Sequence, residues 1–283
     1  MTGTYSSANS DKFSVKQLVG QALSIMSPQR ARELTETPLA SPVGFRDKAI
    51  MNHLRQKALR ERRTDFLELL HKDFWRGEGG NAFSSNCDHR FEELFLQRQK
   101  EDFEVLLDLW EQSEVHRIVE FGCNSGLLLN YLAKELPGVE EAIGLEINEE
   151  QVKANEQVDS FDSRIRFVCG DASEWLFENG TGNCLFVSNG GVLEYFRRER
   201  LDEMLSHISR NLPSALFFAS EPVACDHDWS STAESIPFGD ELSFSHNYKD
   251  LFESNGFEVL HQRATDFESW RMVATVARGG TTG

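Results

Sequence analysis

The segment Glu120-Phe-Gly-Cys-Asn-Ser-Gly126 closes a short apolar run with two glycines and leads straight into a helical pattern. Gly122 lets the backbone turn sharply and Gly126 lets the next helix begin close to a ligand. The exposed N–H groups of that helix start favour a carboxylate or phosphate. Glu146 ends a second apolar run, about 20 residues beyond the last turn glycine, where a carboxylate can accept from both hydroxyls of a ribose. Asp171 ends a third run in Cys-Gly-Asp-Ala, where its side chain can receive an exocyclic amine while the backbone N–H of Ala172 donates to a purine ring nitrogen. The order reads anion, ribose, adenine. Each position alone is also explained without a ligand, as a strand-to-helix turn, a helix N-cap or a solvated strand end; together at successive strand ends they point to a nucleoside carrying an anionic group.

These residues need a scaffold that brings strand ends together, and the sequence supplies one from Arg117 onward. The runs RIVEF, EAIGLEI, RIRFVCG, CLFVS and SALFFAS alternate with helical stretches. Such alternation implies a parallel sheet covered on both faces, with ligands beyond the carboxyl ends of its strands. The last two runs, FEVLHQRA and WRMVATVA, are joined by only a short TDFESW link, too short for a parallel crossover, and are therefore expected to pair antiparallel. Upstream the pattern is helical. Phe13, Leu18, Val19, Ala22, Leu23 and Met26 recur at helical spacing, and a long amphipathic pattern runs from Phe45 to Leu69. RGEGGNAFSSNC predicts a mobile loop between Arg76 and Cys87, after which Asp88 can cap a helix from His89 to Gln112. Residues 1–112 thus read as a helical cap or lid, and 113–283 as the ligand-binding domain.

The chain has 283 residues, of which 40% are hydrophobic and 27% charged, the profile of a folded globular protein. Twenty-nine basic against 46 acidic residues give a net charge of −17, which repels phosphate backbones and anionic lipid and argues against nucleic-acid partners. The five cysteines, Cys87, Cys123, Cys169, Cys184 and Cys225, form no C-x-x-C pair, which argues against a disulfide framework or a zinc ribbon and fits a reducing cytoplasm. A polar N-terminus and no stretch approaching roughly 18–20 apolar residues predict neither export nor a membrane anchor.

The order of these motifs resembles the class I S-adenosylmethionine-dependent methyltransferases. The resemblance covers about the last 170 residues. It implies an α/β, Rossmann-like seven-stranded, mostly parallel sheet with a terminal antiparallel strand, here with an N-terminal helical region added. The family's acid-x-Gly-x-Gly-x-Gly motif falls on Glu120, Gly122, Asn124 and Gly126, with Asn124 replacing the middle glycine. Asparagine tolerates left-handed backbone better than other non-glycine residues. The resemblance implies that Glu120 lies near the cofactor's ammonium, Glu146 binds its ribose, and Asp171 with Ala172 holds its adenine. Cys123, Ile147, Ser188, Asn189 and Gly190 complete the expected cofactor contacts. A nicotinamide or flavin enzyme fits less well, because G-x-G-x-x-G cannot be laid over Gly122-Cys-Asn-Ser-Gly126 without losing a glycine.

The resemblance also implies that Ser188-Asn-Gly-Gly-Val-Leu-Glu-Tyr195 passes under the transferable methyl group. The segment lacks the Asn/Asp-Pro-Pro-Tyr sequence of enzymes that methylate exocyclic amines of nucleobases or a glutamine side chain. Glu194 and Tyr195 are candidates to face the acceptor, with ordinary helix positions as the alternative. His246, in the polar insertion after the fifth strand, is a candidate general base, with helix capping as the alternative. His227, between Asp226 and Asp228, reads as a solvated acidic loop rather than a metal site, and no metal is expected. Phe74 and Trp75 beside the glycine loop suggest a lid that excludes water, or plain core. The basic run His53–Arg63 reads as a solvated helix face. The expected activity is methyl transfer to an oxygen or nitrogen of a small molecule. A protein or peptide acceptor and a catalytically silent binding module are the alternatives, and a homodimer through the helical region is expected to be compatible with each.

Overall fold

The structure is a computed structural model that describes residues 15–36, 44–84, 91–180, 182–239, 241–267 and 270–279. Strands β1 (Arg117–Phe121), β2 (Glu141–Glu146), β3 (Ile165–Cys169), β4 (Cys184–Asn189), β5 (Ala215–Ala224), β8 (Glu258–Asp266) and β9 (Trp270–Gly279) form one seven-stranded sheet. Its order is β3-β2-β1-β4-β5-β9-β8. β1 to β5 pair in parallel, and β9 runs antiparallel to both β5 and β8. The mostly parallel sheet with its antiparallel terminal strand is therefore as the motif order implies.

β5 shows why such strands read as unbroken apolar runs. Ala215, Phe217 and Ala219 enter the core on one face, while Leu216 and Phe218 enter the core on the other. Helices 198–211 and 248–254 cover the first face through Leu201, Leu205, Leu251 and Phe252; helices 100–111 and 127–135 cover the second through Leu106, Trp110, Leu129 and Leu132.

The helical region differs from expectation in three places. The long pattern from Phe45 breaks at Glu61-Arg62-Arg63, where Arg62 takes φ 55°, so it forms α3 (Phe45–Arg60) and α4 (Thr64–Arg76). The glycine-rich segment is not a loop over its described part: Glu78–Ser84 is a short helix, α5. Its Gly80 packs face-on to α4, and a Cβ there would lie 2.2 Å from the Trp75 carbonyl, so close helix contact rather than mobility accounts for it. The expected helix from His89 to Gln112 divides into a π-helical turn, Phe91–Leu96, and a helix, Lys100–Glu111. Between them the buried Gln99 amide donates to the Ser220 hydroxyl. Phe13, Cys87 and the Asp88 cap lie outside the described residues.

Packing also redraws the division of the chain. Phe95, Phe103, Leu106 and Trp110 belong to the core of the sheet, and the buried Asp102 accepts from Arg263 (2.9 Å) and His261 (2.7 Å) on β8. The last part of the expected cap is thus a layer of the sheet. Helices α1 (Val15–Met26), α2 (Pro28–Glu36), α3 and α4 share a separate core of Leu34, Ile50, Phe66 and Leu67, against which Leu23 of α1 packs and which Leu242 and Phe244 complete. Those two residues come from the hairpin of β6 (Ile236–Phe238) and β7 (Ser243–Ser245), which lies within the stretch after β5. Cap and insertion therefore form one packed unit. Among the described residues, no helix is long and apolar enough to cross a membrane.

Candidate functional site

A cleft of about 1040 Å³ opens at the carboxyl ends of β1, β2, β3 and β4 and is walled on the other side by α4, α5 and the β6–β7 hairpin. Ligand sites commonly span about 300–1000 Å³, so this one has room for more than a single small ligand. Gly122 lines it with φ 64°, packed so that a Cβ would meet Val192 at 2.7 Å. Asn124 lines it in a left-handed conformation, φ 44°, where the related motif has a glycine. Gly126 does not reach the cleft. Its φ of 72° and the Phe167 ring, 2.7 Å from where a Cβ would lie, make the residue glycine for its left-handed backbone and for helix-to-strand packing rather than for approach to a ligand. Cys123 is likewise turned away: buried behind the turn, its thiol fills the space beside Gly144.

The three acids occupy different electrostatic settings. Glu146 lines the cleft and accepts from the backbone N–H groups of Asn124 (3.1 Å) and Asn148 (2.9 Å); burial nevertheless holds its carboxyl above the ordinary range. Glu120 lies beneath, fully enclosed, with Oε2 lacking any hydrogen-bond partner, and burial pushes its carboxyl well up. Asp171 caps the helix Ala172–Asn179 by accepting from the N–H groups of Ser173 (2.9 Å) and Glu174 (3.1 Å) with one oxygen, and its other oxygen lies 3.2 Å from the Lys72 ammonium. Burial opposes ionisation of Asp171, but the Ser173 hydroxyl and Lys72 outweigh it and hold the carboxyl below its usual value. Helix capping, one of the two readings of Asp171 from sequence, is thus present, and the oxygen facing Lys72 is the one left to meet a ligand. Ile147 and Ala172 also line the cleft.

The wall continues through Asn189, Gly190, Glu194 and Tyr195. Tyr195 donates to the Glu241 carboxylate at 3.0 Å, and Glu194 is 7% exposed. Ser188 is fully buried and donates to Glu221, which takes it out of the cleft. His246 does not fit the role of a general base. It is fully buried, off the cleft wall, with Nδ1 bonded to Ser235 (2.7 Å) and Nε2 to the Phe196 carbonyl (3.1 Å), and burial lowers it to about 3. Its place in the fold is structural, while capping of the helix Tyr248–Ser254 falls to Asn247. His227 is similarly engaged by Ser245 (2.8 Å) and the Glu234 carbonyl (3.0 Å).

Two residues that the motifs did not single out tie the cap to this rim. Lys72 on α4 bridges Asp171 and Glu174, the latter at 2.7 Å. Asn148, two residues beyond Glu146, caps its own helix with its side-chain oxygen. Its amide nitrogen donates to the backbone carbonyls of Trp75 (3.3 Å) and Gly77 (3.2 Å) and to Asn81 (2.6 Å). Glu221, in the last part of β5, is also outside those motifs and holds the turn after β4. Trp75 itself lines the cleft, with its ring against Phe83 and Tyr195 and its indole N–H buried without an acceptor.

Buried polar atoms are normally paired, so those left over indicate what is to be received. Around this cleft they are Asn124 Oδ1, Asn189 Oδ1, Trp75 Nε1 and, just below, Glu120 Oε2. Three acceptors near one turn suit a bound ammonium or other donor-rich group. Glu146 and Asp171, at the ends of adjacent strands, suit a diol and an amine.

Comparison with known proteins bears on the fold that carries this site. A family described as a methyltransferase domain matches residues 118–214. The magnesium protoporphyrin IX methyltransferase ChlM from Synechocystis PCC 6803, solved with bound SAM, superposes with a TM-score of 0.53 at 14% identity, covering 75% of this chain and 97% of that one. The same protein with bound SAH gives 0.53 at 14% identity, covering 75% and 99%. The likeness at this identity is one of fold. A search by sequence among curated proteins finds no match.

Proposed function

We propose that the chain is a class I S-adenosylmethionine-dependent methyltransferase, the reading supported by its fold and by the methyltransferase domain matched over residues 118–214, and that it transfers a methyl group to an oxygen or nitrogen of a small-molecule acceptor by in-line displacement. The observation that carries this reading is the set of unpaired acceptors, Glu120 Oε2, Asn124 Oδ1 and Asn189 Oδ1, gathered at the tips of β1 and β4 beside the two strand-end carboxylates. S-adenosylmethionine supplies, when bound, an electrophilic methyl on a sulfonium.

In this reading Glu120 and Asn124 receive the ammonium end, Glu146 the ribose hydroxyls, and Asp171 with the Ala172 N–H the adenine edge. The chain's contribution is mainly positioning, which can supply about 7–11 kcal/mol when alignment is ideal. Glu194 and Tyr195 then form the acceptor-facing wall, and Trp75 with Phe83 excludes water from it. With His246 enclosed, no histidine of the sheet domain is at hand as a base, so the acceptor's proton passes to Glu194 or to solvent. The room left in the cleft beyond one nucleoside favours a compact acceptor held under the cap.

The test is incubation with methyl-labelled S-adenosylmethionine and a metabolite extract, followed by identification of the labelled product by mass. Label in a small molecule supports the reading; label in protein or nucleic acid overturns the acceptor class. The expected homodimer rests on exposed apolar side chains of the helical region, Val15, Ile25, Met26 and Phe45 among them. A monomer in sedimentation equilibrium would remove it.

A further inference from the structure

The strongest feature outside the cofactor rim is a carboxylate that touches no ligand-facing surface. Glu221 is fully buried in β5, one residue past the point where β4 stops pairing with it, and is absent from the cleft wall. Its Oε2 accepts from three successive backbone N–H groups, those of Val192 (2.9 Å), Leu193 (3.0 Å) and Glu194 (3.4 Å), and its Oε1 accepts from the Ser188 hydroxyl. A further bond, from the Gly190 N–H to the Ser220 carbonyl at 2.9 Å, laces the same two strand tips together.

This is an N-cap supplied from another strand. The 3₁₀ turn Leu193–Tyr195 has no side-chain cap of its own, since Val192 occupies that position. The first N–H groups of any helical turn lack partners within it, and here a single oxygen from β5 satisfies them. Burying a carboxylate is costly and is retained only where its hydrogen bonds compensate. Four donors meet Glu221, yet burial still pushes it up to about 7. Tyr248, from the helix behind, faces the charges of both Glu221 and Glu194.

We propose that Glu221 is a positioning residue for methyl transfer: by clamping the turn 192–194 from β5, it fixes the cleft wall formed by Asn189, Gly190, Glu194 and Tyr195 against the group being transferred. The assignment rests on the methyltransferase reading above for what that wall faces, and on the hydrogen bonds alone for what holds it. Glu221 touches neither ligand nor reacting atom; it acts through the turn. The part of the wall it holds includes a carboxylate, Glu194, so loosening it affects recognition of a positively charged sulfonium bearing a methyl more than recognition of the neutral thioether left after transfer.

The test uses the full chain with Glu221→Ala, which removes the clamp, and Glu221→Gln, which keeps an acceptor for the three N–H groups. Amide exchange is followed across residues 189–196, and the affinities for S-adenosylmethionine and S-adenosylhomocysteine are measured by calorimetry. Glu221→Ala is expected to speed exchange at 192–194 about tenfold or more and to weaken S-adenosylmethionine about fivefold more than S-adenosylhomocysteine, with peptides around 122–126 unaffected. Glu221→Gln is expected to stay within about threefold of the parent in both. Unchanged exchange at 192–194, or equal loss of the two ligands, overturns the proposal. If Glu221→Ala does not fold, Ser188→Ala removes one of the four donors and is held to the same pattern at a smaller size, with the same overturning results. A parent protein that binds neither ligand defeats the methyltransferase reading instead, and exchange at 192–194 then still decides whether Glu221 holds the turn.

Discussion

The two sides of the cleft are built on different terms. The strand-tip side leaves polar atoms unpaired, Glu120 Oε2, Asn124 Oδ1 and Asn189 Oδ1, and carries carboxylates that burial pushes toward the neutral form. On the cap side Trp75 Nε1 is left over, but the charges that reach the cleft find partners across it: Glu68 in Arg197 at 2.9 Å, Lys72 in Glu174 at 2.7 Å, and Glu241 in the Tyr195 hydroxyl at 3.0 Å. Unpaired buried groups cost stability until a ligand answers them, whereas exposed matched pairs cost little and contribute little. The strand-tip side thus leaves groups that a ligand can answer, and the cap side ties its charges to the sheet. Changes on the first should alter ligand binding and its pH dependence, and changes on the second should mainly alter rates.

The largest expected effect on the strand-tip side is on pH-dependent stability. Glu221 is raised to about 7 by burial, so its neutral form is the one the fold favours. Its contribution is fully present below its ordinary value of 4.5 and is lost as pH rises through about 7. Glu120 and Glu146 act in the same direction. The buried imidazoles of His71, lowered to about 4, and His246, lowered to about 3, act in the opposite sense, losing stability as pH falls below 6.5. The clean measurement is therefore a difference between parent and Glu221→Gln in chemical denaturation at pH 5 and pH 8. The parent should lose on the order of 3 kcal/mol more than the variant over that interval. Parallel pH profiles would show that Glu221 is ionised without penalty.

Next in size is the loss of a strand-end carboxylate. Glu146→Ala should weaken S-adenosylmethionine by about 1–3 kcal/mol, roughly tenfold to a hundredfold, in calorimetry. Unchanged affinity removes the ribose assignment. A smaller effect concerns protons. Because Glu120 and Glu146 are held above the ordinary carboxylate range in the free protein, a bound ammonium and hydroxyl donors favour their ionised forms, and binding near pH 7 should release protons. Calorimetry in buffers of different ionisation enthalpy reads that release, and Glu120→Gln should reduce it. Equal heats in all buffers would place both carboxylates outside the ligand's reach.

The same contrast explains what could be read in the sequence. The inner strands β1, β2, β4, β5 and β9 lie where apolar runs bounded by turns placed them, because a strand buried on both faces reads as apolar, and the strand-end acids stand out against it; the edge strands β3 and β8 are only partly buried and were read from their place in the alternation. Glu146 and Asp171 were therefore legible, and so was Asn124, whose φ of 44° matches the tolerance of asparagine for left-handed backbone. The cap was less so. Helical periodicity gives a face but not its partner, so nothing along the chain revealed that Leu242 and Phe244 complete the core of α2, α3 and α4. Nor could spacing distinguish a histidine facing a ligand from one like His246 with both nitrogens engaged by protein, since that depends on Phe196, 50 residues away. Glu221 was invisible for the same reason: its donors lie 27 to 33 residues upstream.

The smallest effect falls on the cap and is the sharpest test of the contrast. Burial would lower the Lys72 ammonium, but Glu174 and Asp171 outweigh it and hold it above its ordinary value. The Lys72 side chain is 25% exposed and that of Glu174 59%, so solvent screens the pair and its loss should cost less than about 1 kcal/mol of stability. Yet Lys72 spans from α4 to the end of β3, and Asn148 holds Trp75 and Gly77 to the end of β2, so two contacts strap the cap across the places assigned to adenine and ribose. Lys72→Met should therefore leave the denaturation midpoint nearly unchanged while raising the dissociation rate of S-adenosylmethionine about threefold to tenfold in stopped-flow displacement, because a strap over the escape path and a partner of Asp171 are lost together. An unaltered dissociation rate would show that the cap does not close over the strand-tip side, leaving its matched charges as ordinary surface chemistry.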